Sequence, residues 1–296
     1  MMQINNRSEL DCAVRINGVL PDIHTLGDEE KSERAAEVKR LGMNANTSCS
    51  VFLLKHGNNK SYKTDASGNT SSIISTTGRE DIAQTTTFHL LVDVGNGVVN
   101  SLHNVKGLSD LSFSDSKPHD ATKLSLDAIY ATSTETRTTT ELSKPLYLPD
   151  ALLITHAHDD HIHDLPLLLE KVQQSSNKTV LEIFCTSPCR EEIFAKFPDI
   201  AKTAYDGDAH SKVSFNVIEP NKSFNVGAFS VTPIEAYHGE NSPPGSVIYI
   251  LKLQDKTKII IGWDFLSLKH ADESILWNPS LAILGAQSFN QHPETG

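Results

Sequence analysis

The apolar positions of the chain gather in short dense runs separated by long polar intervals, and the runs change in kind along its length. "SVFLL" (Ser50–Leu54) and "FHLLVDVG" (Phe88–Gly95) are continuous apolar runs of strand length, the second ending in an Asp and a Gly turn, so both predict buried strands. The intervals 57–86 and 109–144 are rich in Ser, Thr, Asn and Gly and too poor in apolar residues to build a core. They predict polar surface insertions or loops, the second with one weakly periodic piece at Leu124–Ile129. Both lie between strands rather than between self-sufficient halves, which predicts a single decorated domain over 1–296.

From residue 150 the pattern sharpens. "DALLIT" (Asp150–Thr155) predicts a buried strand, "LPLLLEKVQQ" a helix that packs its leucines inward, and "TVLEIFC" (Thr179–Cys185) another strand. "SPCREEIFAKF" predicts a helix with Ser187 as N-cap, Pro188 at the first helical position and acids in the first turn. This α/β rhythm gives way to a β-rich last third. "VSFNVI", "KSFNV", "FSVTPIEAYH", "SVIYILKL" and "KIIIGWDF" predict sequential, mainly antiparallel strands, followed by a short helix at "LKHADESIL" and a buried strand at "LAILGA". Strands and helices in both halves predict an α/β fold, two sheets packed face to face with helices outside.

Composition narrows the partners. The balance of 26 Lys+Arg against 37 Asp+Glu gives a net charge of -11 with no dense basic run, so long nucleic acids are not expected. A small anionic substrate held by a metal remains open, because a bound cation dominates its local field. Four scattered cysteines, Cys12, Cys49, Cys185 and Cys189, make no disulfide framework and predict a reducing compartment, with "CTSPC" read as packing. The start "MMQINNRSELDCAVRINGVL" carries no secretory pattern and no segment has the apolar length of a membrane span, so a cytoplasmic protein is expected.

The chemistry concentrates where one predicted strand hands over to a helix. His156-Ala157-His158-Asp159-Asp160-His161 reads H-x-H-x-D-H, and an extended backbone sends His156, His158 and Asp160 to one side while the turn adds His161. Four of the 13 histidines lie between His156 and His163. Histidines crowded together repel once protonated unless a cation replaces the protons, so the loop predicts a metal site more readily than a solvated turn. Imidazole and carboxylate together suit Zn²⁺ or a similar first-row ion.

Two later strand ends follow in order: His238 in "IEAYHGENSPPGSVIYI" and Asp264 in "KIIIGWDF". With H-x-H-x-D-H, they resemble the metallo-β-lactamase superfamily of hydrolases. The resemblance implies a four-layer αββα sandwich of two mixed sheets and two divalent metal ions, Zn first, with Mn or Fe as alternatives. It implies that His156, His158 and His238 hold one ion, that Asp160 and His161 hold the other, and that Asp264 bridges them. Asp93 in "LLVDVG" takes the place of a structural Asp. Asp159 and His163 are expected as bystanders, with His163 and Asp164 outside the ligand set.

Two departures stand out. Trp263 takes the place of the Gly that usually precedes the bridging Asp, with Gly262 one position earlier. The family's last ligand His is expected just after "LAILGAQSFNQHPETG", and the sequence given closes at Gly296; His292 is the one substitute nearby. "VDVG", "HGENSPPGSVIYIL" and "GWDF" resemble the phosphodiesterase-like branch, with its cyclic-phosphate hydrolases and tRNA-processing ribonucleases.

The expected function is therefore a metal-dependent hydrolase that uses a metal-bound hydroxide on a small phosphodiester or cyclic phosphate, with Asp160 steadying or relaying the proton. The alternatives are thioester, lactone or carboxylic ester hydrolysis in the same fold, and a non-catalytic metal-binding regulator. No membrane partner is expected, and a homodimer is the assembly considered. No G-x-S-x-G elbow or phosphate-binding loop motif occurs, and "PPGS" reads as a turn that starts a strand.

Overall fold

The computed structural model describes residues 10–18, 47–56, 62–64, 70–72, 84–102, 146–176, 180–205, 211–239, 242–253 and 257–285. Its first sheet takes β1 (Leu10–Gly18), β2 (Ser48–His56), β5 (Gln84–Val92), β6 (Ala151–Leu153), β7 (Leu181–Thr186) and β8 (Val213–Ile218). A separate hairpin pairs β3 (Tyr62–Thr64) with β4 (Thr70–Ser72). The second sheet takes β9 (Phe224–Val226), β10 (Phe229–Tyr237), β11 (Val247–Leu253), β12 (Thr257–Gly262), β13 (Ser267–Leu268) and β14 (Leu281–Leu284).

The order is β1-β2-β5-β6-β7-β8 in one sheet and β13-β10-β11-β12-β14 in the other, with β9 on β10. The first sheet is antiparallel from β1 to β5 and parallel from β5 to β8. The second is antiparallel apart from the β12–β14 pair. Both are mixed sheets, as the αββα expectation requires.

Alternation along each strand makes the layers. In β5 and β6, Leu90, Val92, Ala151 and Leu153 face the second sheet, while Leu91, Leu152 and Ile154 face the helices. Burial on both faces is why these strands read as unbroken apolar runs. In the second sheet, Val247, Tyr249, Leu251, Ile259 and Ile261 meet the first sheet. The opposite face, with Ile248, Ile250 and Ile260, lies under Phe265, Leu268, Ile275 and Leu276.

The outer helices of the first sheet are α3 (Leu165–Gln174), α4 (Ser187–Lys196) and α5 (Pro198–Tyr205), preceded by the single turns α1 (Val98–Ser101) and α2 (Asp159–Ile162). Leu165, Leu168 and Val172 give α3 its inward stripe, as the sequence predicts. No helix among the described residues is long and apolar enough to cross a membrane.

Several local expectations shift. Thr186, not Ser187, is the N-cap of α4, its Oγ1 accepting from the Cys189 amide at 3.4 Å, and this moves the Glu pair out of the first turn. Thr186 wins because it ends β7 with the extended backbone (φ −69°, ψ 159°) that an N-cap needs. "LKHADESIL" forms only β13 and a 3₁₀ turn at Glu273–Leu276 capped by Asp272, and of β14 only Ile283 is buried. Inside the interval 57–86, β3, β4 and the first residues of β5 are regular strand, because strand pairing can be satisfied by backbone alone. The remainder of that interval, the interval 109–144 with its piece at 124–129, and residues 286–296 with His292 lie outside the described residues. All four cysteines are free thiols, and Cys185 and Cys189 are wholly buried in the core under the helices.

The sheets are joined by polar bonds at one end. Tyr249, wholly buried, donates its hydroxyl to Ile154 O at 2.7 Å, and the Val247 amide donates to Thr155 O at 3.0 Å. Thr186 Oγ1 donates to Gly245 O at 2.8 Å, and a Cβ on Gly245 would stand 2.2 Å from that hydroxyl. Only glycine permits this approach, and its φ of +77° suits the turn that opens β11, as "PPGS" suggests. Removing the Tyr249 hydroxyl by Tyr249→Phe leaves a buried carbonyl short of a donor, and should cost about 1–2 kcal/mol in urea unfolding. Unchanged stability would mean that the bond does not tie the sheets.

His89 sets an acid limit. It is buried, bonded through Nε2 to Ser50 Oγ at 2.9 Å, and burial, with the nearby Arg15, lowers its pKa from 6.5 to about 4. The unfolded chain then binds more protons between those values, so stability is full above pH 6.5 and falls as pH drops towards 4, by about 3 kcal/mol. His89→Gln should flatten this limb of a stability-versus-pH curve. Superimposable wild-type and variant slopes in that window would refute the assignment.

Candidate metal centre

All six candidate ligands sit just past the C-terminal ends of strands, at the edge where the sheets are joined. His156 and His158 follow β6, His238 follows β10 and Asp264 follows β12. His158 keeps an extended backbone (φ −73°, ψ 153°) at the N-cap of α2, and that single turn brings Asp160 and His161 back towards His156.

Nε2 of His156, Nδ1 of His158 and Nε2 of His238 form a triangle with all three sides 3.2 Å. Imidazole nitrogens on a tetrahedral Zn²⁺, each about 2.0–2.1 Å from the ion, stand about 3.3–3.4 Å apart. The spacing is that of a ligand triad. Asp264 Oδ2 lies 3.8 Å from His156 Nε2, 3.9 Å from His238 Nε2 and 3.1 Å from His161 Nε2, and Asp160 Oδ2 lies 3.5 Å from His161 Nε2. Two groups result, His156–His158–His238–Asp264 and Asp160–His161–Asp264, each with one ligand atom per residue and all atoms within 4.8 Å of one another. They share Asp264. The donor set, three imidazoles and a carboxylate beside one imidazole and two carboxylates, fits a pair of divalent first-row ions.

The surroundings prepare the first two motif histidines for ligation. Burial, reinforced by the neighbouring histidines, pushes the pKa of His156 well below its ordinary value and lowers that of His158, so both rings stay neutral with a lone pair to offer. His161 goes the other way. Burial opposes its charge, but Asp93 first, then hydrogen bonds to Asp264 and Asp93 and the charge of Asp160, push its pKa up to about 10. Burial works against the Asp264 carboxylate too, and its bond with His161 outweighs that and holds its pKa below the usual value.

Asp93 is the anchor. It is fully buried, has a left-handed backbone (φ 57°), and accepts from the Thr155 amide at 2.8 Å, the Thr155 hydroxyl at 2.7 Å and His161 Nδ1 at 2.9 Å. With Nδ1–H held by that carboxylate, Nε2 of His161 is left to face Asp160 and Asp264. Thr155 Oγ1 also lies 3.0 Å from His156 Nδ1 and 3.4 Å from His161 Nδ1, so one threonine serves two of the three motif histidines.

The bystanders separate. His163 is exposed, and Asp159, 70% exposed at its side chain, pairs with Lys196 at 2.7 Å. Asp164 is buried outside the ligand groups and accepts from the Val99 amide at 3.1 Å, capping α1 from across the fold. Trp263 has no left-handed backbone angle and buries its ring between the sheets, so glycine is not required there. The close approach falls on Gly285 instead, where a Cβ would meet Trp263 O at 1.7 Å.

Sequence reasoning missed Thr155, Asp164 as a cap, and Lys196. Thr155 reads as the end of an apolar strand and Lys196 as an ordinary last-turn lysine. Only the three-dimensional approach of distant segments gives either its part.

If Asp93 fixes the His161 tautomer, Asp93→Asn should weaken Zn²⁺ binding about 10- to 100-fold in chelator competition. Wild-type affinity in a folded variant would remove Asp93 from that role.

The chain resembles, over 92% of its length and 69% of the other chain, the metallo-β-lactamase fold protein YhfI from Bacillus subtilis, at 14% identity and a TM-score of 0.44. It resembles a diphosphatase of the PhnP family over 93% of this chain and 73% of that one, at 11% identity and a TM-score of 0.47. It resembles yeast PDE1 over 65% and 62%, at 20% identity and a TM-score of 0.40. No curated protein matches the chain. The family model described as a beta-lactamase superfamily domain matches residues 125–288, more than half of the chain and a span that contains all six candidate ligands. The chain belongs to the metallo-β-lactamase superfamily of hydrolases.

Proposed function

We propose that the protein is a two-metal hydrolase of small phosphodiesters or cyclic phosphates, with His156, His158 and His238 holding one ion, Asp160 and His161 the other, and Asp264 between them. The observation that carries this reading is the pair of donor groups that share Asp264. Bound there, two divalent cations would polarise a phosphoryl oxygen and bring the pKa of a water towards neutrality.

The chain's own residues decide how the site is approached and where a proton goes. His156 and His161 are buried, whereas Asp264 is 29% exposed and His238 15%, so a substrate reaches the centre from the side of those two residues. Asp160, 11% exposed at its side chain, keeps its carboxylate at this edge, where an oxygen can accept a proton from an attacking water. The excess of 37 acids over 26 bases need not hinder a small anion, since bound cations would dominate the field at short range. A long polyanion meets the whole surface at a net charge of -11 and is repelled. The likeness of "VDVG", "HGENSPPGSVIYIL" and "GWDF" to the phosphodiesterase-like branch points the same way. We further place the protein in the cytoplasm, on its free cysteines.

The protein should take up close to two Zn²⁺ or Mn²⁺ per chain and hydrolyse bis(p-nitrophenyl) phosphate, with His158→Ala abolishing turnover. Cleavage of p-nitrophenyl esters or thioesters in preference would select the ester-hydrolase alternative. Metal uptake without either activity would make the protein a metal-binding regulator.

A further inference from the structure

The loop that carries four of the candidate ligands turns Asp159 outward to solvent. His158 and Asp160 are only half-buried, and the helix that spaces them, α2, is a single turn whose amide bonds run from His161 and Ile162 to His158 O and from His163 to Asp159 O. One turn is the costly nucleus of a helix without the bonds that extend it. On its inner side Asp93 and Thr155 fix His156 and His161. They do not reach Ala157 or Asp159.

Lys196 does. It stands in the last turn of α4, and its ammonium donates to Ala157 O at 2.7 Å and to Asp159 Oδ1 at 2.7 Å. The two acceptors flank His158 in sequence, so one cation grips the backbone before this ligand and the side chain after it. We infer that Lys196 is a positioning residue that clamps the His156–His161 loop from outside and sets the placement of His158 and Asp160. The inference rests on the proposed metal centre, since the loop's purpose is taken to be ligation.

The chemistry suits the role. A Lys ammonium offers three donors and can serve a carbonyl and a carboxylate at once. With Asp159 it forms a neutral pair, so the clamp adds no net charge beside a site meant for cations. Placement on α4 matters too, because α4 is seated by the buried Cys189 and Ile193 and by the Thr186 cap. The loop is thereby referred to a rigid element across the sheet edge, not to its own short helix.

The test compares wild type with Lys196→Met, which keeps the stem and loses the donors, and with Lys196→Arg, which restores a cation. Zn²⁺ affinity is read by chelator competition, and amide hydrogen exchange is read at His161, Ile162 and His163. The expected result is faster exchange at these amides and about tenfold or greater loss of Zn²⁺ affinity in Lys196→Met, substantially recovered in Lys196→Arg, with the melting temperature of the chelator-treated protein unchanged. Wild-type exchange and affinity in Lys196→Met would overturn the clamp. Faster exchange with wild-type affinity would overturn its bearing on ligand placement. If wild type itself binds no Zn²⁺, the metal reading fails, and the exchange data still decide whether Lys196 holds the loop.

Discussion

The structure turns on one buried carboxylate. Asp93 has no contact with solvent, and a charge so placed must be compensated or it would destabilise the fold. Compensation comes from the Thr155 amide and hydroxyl and from His161, three bonds that draw the end of β6 and the start of α2 onto the end of β5. The backbone repeats the link: the Asp93 amide extends the ladder to Leu153 O, Val94 donates to His161 O, and Asp164 donates to Val94 O. The left-handed conformation at Asp93, which an Asp tolerates better than most residues, lets the chain turn away while the carboxylate stays behind. Had this carboxylate another place, His161 would have no fixed tautomer and the motif loop no floor.

The legible part of this fold was the part encoded locally. Continuous apolar runs marked β2, β5, β6 and β7 because each is buried on both faces, and the H-x-H-x-D-H spacing made sense because an extended segment followed by a turn can converge its side chains. His238 and Asp264 were different, since neither is marked by its own neighbourhood and both were found through the order of motifs in a superfamily. The structure brings all six into one cluster. What escaped was relational. Thr186 displaced Ser187 as the cap because the strand before it ran one residue further, a matter of sheet pairing with β8 up to Ile218. "LKHADESIL" (Leu268–Leu276) has helical composition but spends itself on the end of β13 and a 3₁₀ turn, because Leu268, Ile275 and Leu276 must all come down on the second sheet.

Trp263 shows how a departure from a family pattern is absorbed. A glycine before the bridging acid would normally allow close packing at that point, and here the ring is buried between the sheets while closeness is transferred to Gly285, whose amide donates to Gly262 O. The backbone preceding Asp264 is thus held by β14 from the side. A demand for space has moved to the neighbouring strand without leaving the site.

The six residues divide unevenly between the sheets, four following β6 and one each following β10 and β12. A nitrogen triangle 3.2 Å on a side, with one corner on the second sheet, tolerates little sliding of one sheet against the other. The bonds from Tyr249 to Ile154, Val247 to Thr155 and Thr186 to Gly245 all join the two sheets, and the first two tie the segment that leads into His156 to the opposite sheet. Inter-sheet packing and donor geometry are therefore one constraint, not two. On the proposed reading, an ion held by His156, His158 and His238 would act as a further cross-link between the sheets, and by linkage whatever tightens their packing would tighten its binding. The polar seam at this edge then has a reason beyond stability: it fixes the register in which the two halves of the donor set can meet.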